Sequence, residues 1–262
     1  MRAYRANLFL LPFTMLILGG LAGTDARAGN VSMSFDPTNF TNPLTIDNPY
    51  WPLVAGTTFV YRTASDEDCE VNDVTVTPNT KPIAGVMTRE VHDQVWEDLD
   101  CDGTRGALLE DTLDWYAQDD AGNIWYFGES TSEATPSCTP APDQCNTEGS
   151  WEAGQDVAAI GSVAQAGVVI LADPRPGNFY QQEFYAGEAE DQGKVLRLNA
   201  KVSLTLDNQI DPDKYAGCMK TKETSPLEKG VVEHKYYCPG AGLVLIEELK
   251  GKTVRTELVE IQ

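Results

Sequence analysis

The sequence predicts an all-β protein: an antiparallel meander of about twelve short strands, closed into a barrel or folded into a sandwich. Three observations lead there. The dominant hydrophobic period is two, clearest in residues 195–206, where Leu196, Leu198, Ala200, Val202, Leu204 and Leu206 alternate with mostly polar residues. Turn chemistry such as Asp119-Asp120-Ala121-Gly122-Asn123 and Lys250-Gly251-Lys252 separates the periodic segments. No segment reads as a helix of three turns; residues 154–166, interrupted by Gly161, come nearest. Closing or stacking so many hairpins removes exposed strand edges.

Taken in order, the chain opens with Arg2 and Arg5, an apolar stretch over residues 8–22 and Ala26-Arg27-Ala28. A charged start, a short apolar middle and small residues spaced A-x-A predict a secretory signal peptide over 1–28, cleaved after Ala28. The apolar stretch is short for a membrane span, which needs about 20 residues. Residues 29–52 are rich in Asn, Thr, Pro and Asp and read as an extended N-terminal arm. Residues 53–262 then form a single β domain, with strands predicted at 57–63, 71–77, 86–97, 108–118, 124–128, 167–173, 179–186, 195–206, 215–224, 231–238, 243–249 and 253–261.

Charge bounds the partners. The chain has 19 basic and 40 acidic residues, a formal net charge of −21. Without Arg2, Arg5, Arg27 and Asp25 the processed chain holds 16 basic and 39 acidic residues, or −23. Phosphate recognition needs clustered Lys and Arg, so nucleic acid is excluded as a partner. No later segment reads as transmembrane, and the expected address is the periplasm or the extracellular space.

In that compartment the six cysteines are expected as three disulfides. Cys138 and Cys145 bracket a proline-stiffened loop. Cys218 and Cys238 lie symmetrically about residues 226–230, so a hairpin there sets them face to face. Cys69 and Cys101 remain. Their pairing would gather nine carboxylates, among them Asp66, Asp68, Asp98, Asp100 and Asp102, where like charges disfavour one another. A hard cation such as Ca²⁺ would relieve this. Asp98, Asp100, Asp102 and Gly103 match an EF-hand at positions 1, 3, 5 and 6, but position 12 is Leu109. The competing reading is a pair of solvated acidic loop tips screened by salt.

The segments Asp114-Trp115-Tyr116-Ala117-Gln118-Asp119 and Gly122-Asn123-Ile124-Trp125-Tyr126-Phe127-Gly128-Glu129 carry a resemblance, as do residues 149–154, 182–191 and Gly230-Val231-Val232-Glu233-His234-Lys235-Tyr236-Tyr237. Together they resemble a family of uncharacterised exported bacterial β-rich proteins. The resemblance spans roughly residues 54–262 and implies no activity. The acidic cysteine-bearing inserts look like additions to that pattern.

Stock catalytic motifs are absent: there is no G-x-S-x-G elbow, H-E-x-x-H or P-loop. Only two histidines are available as bases or metal ligands. If the strands carrying His92 and His234 converge inside a barrel, they could hold copper or zinc with Glu183 as a third ligand; otherwise each is a hydrogen-bonded structural histidine. Glu110 and Asp114 share one strand face at a spacing compatible with acid and base roles in a hydrolase. An acidic wet face is the plainer explanation in so acidic a chain. Tyr116, with either Tyr126 or the Trp125 and Phe127 pair, could line a concave binding site, or simply strengthen the sheet. The favoured expectation is a non-catalytic exported binding or envelope-associated protein, with Ca²⁺ as a candidate stiffening ion; the alternatives are a carboxylate hydrolase and a copper or zinc binder.

Overall fold

The computed structural model describes residues 29–65, 69–135, 137–138, 145–157, 162–206, 215–249, 251 and 253–262. The strands are β1 (Thr58–Ala64), β2 (Cys69–Ile83), β3 (Val86–Glu97), β4 (Leu108–Gln118), β5 (Ile124–Glu133), β6 (Trp151–Glu152), β7 (Asp156–Val157) and β8 (Ser162–Val163), followed by β9 (Gln165–Ile170), β10 (Phe179–Gln181), β11 (Glu183–Phe184), β12 (Gln192–Ala200), β13 (Cys218–Thr224), β14 (Glu233–Cys238), β15 (Gly242–Glu248) and β16 (Val254–Ile261). One 14-stranded sheet runs in the order β10, β12, β13, β14, β15, β16, β1, β2, β3, β4, β5, β9, β11, with β6 added on β5. Every ladder within it is antiparallel.

The two ends of this path, β10 and β11, are neighbours in the chain, separated only by Gln182. The sheet therefore curls back on itself as a nearly closed barrel, decided here in favour of barrel over sandwich. Gly167 on β9 marks the closest approach. A Cβ at that position would stand 2.4 Å from the backbone carbonyl of Gln182, closer than real atoms pack, so a glycine is required. The β2 to β3 hairpin turns at Ala84-Gly85, both at positive φ (47° and 85°), the geometry of a two-residue turn matched to strand twist.

The alternation of residues 195–206 meets two register shifts within β12, and the strand ends at Ala200. The following segment lies over the outside of β16, where Glu257 accepts backbone hydrogen bonds from Thr205 and Leu206. Among the described residues of 154–166, β7 pairs antiparallel with β8.

The arm is extended but far from peripheral. Val31 donates to the Phe179 carbonyl at the barrel's edge. Phe35 and Phe40 pack edge-on or tilted against Trp125 and Phe127 at 5.6–5.9 Å between centroids. The Gln118 side chain accepts from the amides of Asp47 and Asn48, which fixes the chain just before Trp51 enters the core. All three disulfides join the expected partners: Cys69 with Cys101, Cys138 with Cys145, and Cys218 with Cys238. The last bridges β13 and β14, where Met219 pairs with Tyr237 in the adjoining register position. Among the described residues no helix is long and apolar enough to cross a membrane.

Candidate functional site

Alternation on β4 turns Glu110, Thr112, Asp114 and Tyr116 to the same side. The sequence suggested that this acidic face is wet. The structure inverts that expectation: all four are buried inside the barrel. Register carries the acidity onto the neighbouring strands, with Asp93 opposite Thr112 and Glu129 opposite Asp114. Glu183 on β11 and Glu223 on β13 are buried as well. Lys235 of β14 is the one basic residue among the described residues buried to a similar degree.

Acids crowded away from water resist ionisation. Burial, reinforced by Asp114, pushes Asp93 well above the usual carboxylate range. Burial likewise lifts Asp114 to about 7, although the Tyr126 hydroxyl donates to it at 2.7 Å. Glu129 is raised by burial and then by Asp114 and Glu183. Glu183 is raised by burial and by Asp191. Asp191 is lifted by burial to about 6 and Glu233 to about 7. Burial works against the charge on Lys235, but Glu223 at 2.9 Å and Glu233 at 3.5 Å outweigh it and keep the ammonium protonated. Asp93, Asp114, Glu129 and Glu183 each retain one buried carboxylate oxygen without a hydrogen-bond donor.

Between these groups lies a cavity of about 330 Å³, its open mouth included. Trp51, Tyr116, Tyr126 and Tyr237 form its aromatic walls, and Glu183, Asp191, Glu223 and Lys235 its polar ones. Trp51 meets Tyr116 at 5.0 Å and 72°, and Tyr237 at 6.2 Å and 61°, while Tyr116 stacks on Tyr126 at 4.8 Å. Trp51 thus stands steeply against Tyr116 and Tyr237, while Tyr126 lies nearly parallel to Tyr116. Aromatic walls combined with convergent polar groups are the usual make-up of a small-molecule site.

Of the residues singled out from the sequence, Tyr116, Tyr126 and Glu183 reach this cavity. Trp125 and Phe127 do not: they project from the other side of β5 and are covered by Phe35 and Phe40. Glu110 and Asp114 point inward but stop short of the cavity wall; Glu110 accepts from Thr112, and Asp114 from Tyr126. His92 and His234 lie on strands separated by four others, on the outward side, and do not converge. His92 bonds Asp111, His234 faces Glu247 at 3.9 Å, and Glu183 sits within the barrel apart from both, which removes the three-residue copper or zinc site.

At the acidic loops Asp66 and Asp68 lie outside the described residues. Asp98 accepts from the amides of Asp102 (3.0 Å) and Gly103 (2.7 Å) and faces Arg62 at 3.4 Å. Asp102 caps the amide of Thr104, and Asp100 is exposed. Among the described residues no three His, Cys, Asp or Glu side chains are grouped to hold a metal ion.

Sequence reasoning missed Trp51, Asp191, Glu223, Lys235 and Tyr237. A signal for two of them was present: Lys235 and Tyr237 share one face of a strand whose charged residues are Glu233 and Lys235. Nothing in the arm's composition marked Trp51 as part of an interior wall.

No protein-family model matches the chain, and no curated protein matches it either, so the likeness of residues 114–129 and 230–237 to exported proteins stays a resemblance. Two solved structures are similar to it. One is a provisionally named lipoprotein from Parabacteroides distasonis, 11% identical, covering 82% of this chain and 99% of its own, with a TM-score of 0.37. The other is a provisionally named exported protein with a YmcC-like fold from Bacteroides fragilis, 10% identical, covering 81% and 98%, also at 0.37. A likeness this loose carries nothing about activity.

Proposed function

We propose that the chain is an exported, non-catalytic β-barrel protein that binds a small molecule in its interior cavity. One observation carries the reading: the cavity is walled by four aromatic rings and receives a buried carboxylate, Glu183, that still has an oxygen without a donor. A fold that fills its interior for stability alone leaves few such groups, because an unsatisfied buried acceptor costs about 1–3 kcal/mol. Binding is favoured over hydrolysis because Glu110 and Asp114 are engaged by Thr112 and Tyr126 and lie away from the cavity wall. Ca²⁺ is left out of the reading, since Asp98 and Asp102 are engaged by amides of their own loop. Export is supported by three disulfides, which persist in oxidising compartments, and by the leader-like start of the sequence.

The test is a thermal-shift screen of small polar compounds on the wild-type chain and on Val169→Phe, which fills the cavity from its wall. Ligands of the site stabilise wild type, by about 2.7 kcal/mol at a hundred times Kd, and lose the effect in the variant. A screen in which every stabilising compound acts equally on both proteins would sink the reading. For export, cell fractionation with N-terminal sequencing is expected to find a chain beginning at Gly29 outside the cytoplasm.

A further inference from the structure

We infer that the cavity binds a small organic ammonium ion, held between the faces of Trp51, Tyr116 and Tyr237 and the carboxylate of Glu183. The inference rests on reading the cavity as a binding site and names the ligand's chemistry.

The walls come first. Ring faces carry negative potential and attract cations within about 6 Å, most strongly when the site is dry. Trp51 stands at steep angles to both Tyr116 and Tyr237, so a guest in this corner meets more than one ring. Quaternary and primary ammonium groups are the guests that such corners suit, because their charge is spread over C–H or N–H groups on all sides.

Charge balance comes second. Glu183 is 1% exposed, its Oε2 accepts no hydrogen bond, and it borders the cavity. An ionised carboxylate in such a place requires a partner cation. Among the described residues the one deeply buried cation, Lys235, is already shared among acids: it sits 2.9 Å from Glu223 and 3.5 Å from Glu233, and Asp191 also raises it. Lys235 acts on Glu183 and Asp191 too, yet both stay raised, and a guest ammonium would supply the second positive charge this group of acids lacks. An anionic guest would meet three acids and an occupied lysine. A neutral guest would leave Glu183 in its protonated form and gain no ion pair from it.

Proton coupling follows from the same geometry. The charged and titratable groups around Glu183 are Asp191, Lys235, Glu129 and Tyr126. Burial and Asp191 raise Glu183 well above the usual carboxylate range, so a cation that pairs with it competes with a proton. Affinity for the cation therefore rises with pH, and Asp191, at about 6, adds to that rise.

Calorimetric titration of the full, oxidised chain tests this with four probes: methylammonium, tetramethylammonium, the uncharged analogue tert-butanol, and acetate. The ammonium probes are expected to bind with proton release, more tightly at pH 8 than at pH 5. Glu183→Gln should weaken them roughly tenfold or more, as expected for loss of a charged partner, and abolish the pH dependence. If that variant does not fold, the wild-type pH dependence and the contrast with tert-butanol decide alone. Binding of tert-butanol or acetate as tight as that of the ammonium probes would overturn the cation while sparing the cavity as a binding site. If none of the four binds while compounds specific to the unfilled cavity emerge from the Val169→Phe screen, the ammonium inference alone is overturned. If that screen also fails, both readings fall.

Discussion

Glu257 on the outer side of the barrel and Glu183 on its inner side are equally hidden from water, at 0% and 1% exposure. Their surroundings differ. Burial pushes Glu257 up, yet the Leu206 amide, the Arg255 guanidinium and the amide and hydroxyl of Thr205 together hold it below the usual carboxylate range. Glu183 has only the Asp191 amide and the Trp151 indole to set against its burial, one of its oxygens is left without a partner, and it is driven the other way. Burial alone therefore does not fix the fate of a carboxylate; the donors aimed at it do. The outer acids repeat the first pattern. Asp98 is capped by two amides, and the bond from His92 holds Asp111 low against its burial. Asp93, Asp114 and Glu129 repeat the second. This chain can satisfy a buried acid and does so outside the barrel, so the unsatisfied interior belt marks where a proton or a guest cation completes the charge balance.

The largest test of this contrast is the dependence of stability on pH. Interior carboxylates whose folded values are raised stabilise fully below their unfolded values near 4, and that contribution is lost as pH climbs through about 6 for Asp191 and about 7 for Asp114 and Glu233. The denaturation midpoint is therefore expected to fall between pH 5 and pH 8, by on the order of 5 kcal/mol in unfolding free energy. The outer acids act in the opposite sense, losing their contribution only below about pH 4. A midpoint that rises from pH 5 to pH 8 would remove the distinction between the two regions.

Asp114→Asn isolates one member of the interior belt. The amide keeps an acceptor for the Tyr126 hydroxyl and drops the charge. At pH 8 the variant is expected to be more stable than wild type by about 2 kcal/mol, with the gain vanishing at pH 5, as chemical denaturation at the two pH values would show. Destabilisation at pH 8 would mean that the ionised carboxylate is the form the fold prefers.

Glu257→Gln supplies the smaller, opposite effect. Losing a charged acceptor for two amides and a guanidinium is expected to cost about 1–2 kcal/mol at neutral pH, and the difference from wild type should shrink below pH 4. An unaltered midpoint at pH 7 would show that these bonds add nothing over a neutral amide.

Much of the architecture was legible without coordinates. The period of two placed most of the strands, and Cys218 and Cys238 could be paired because the turn between them was readable. Sidedness was not legible. In β4, Glu110, Asp114 and Tyr116 alternate with Leu109, Leu113 and Trp115, and a rule that sends apolar residues inward turns this strand the wrong way. Closure of the barrel and the cover given by the arm decide otherwise: Phe35 and Phe40 shelter the outer rings of β5, and Lys81 lies over the Trp115 ring. The cavity was illegible for a related reason, since Trp51, Glu183 and the Lys235 and Tyr237 pair come from three segments far apart in the chain.

The sequence by itself determined the backbone's periodicity, the positions of the turns and the cysteine spacing, because these are local properties of neighbouring residues. Which strand face became the interior, and which acids lost their water without gaining donors, was decided only when the sheet closed on itself. Alternation gives a strand two faces, and only its distant neighbours choose between them.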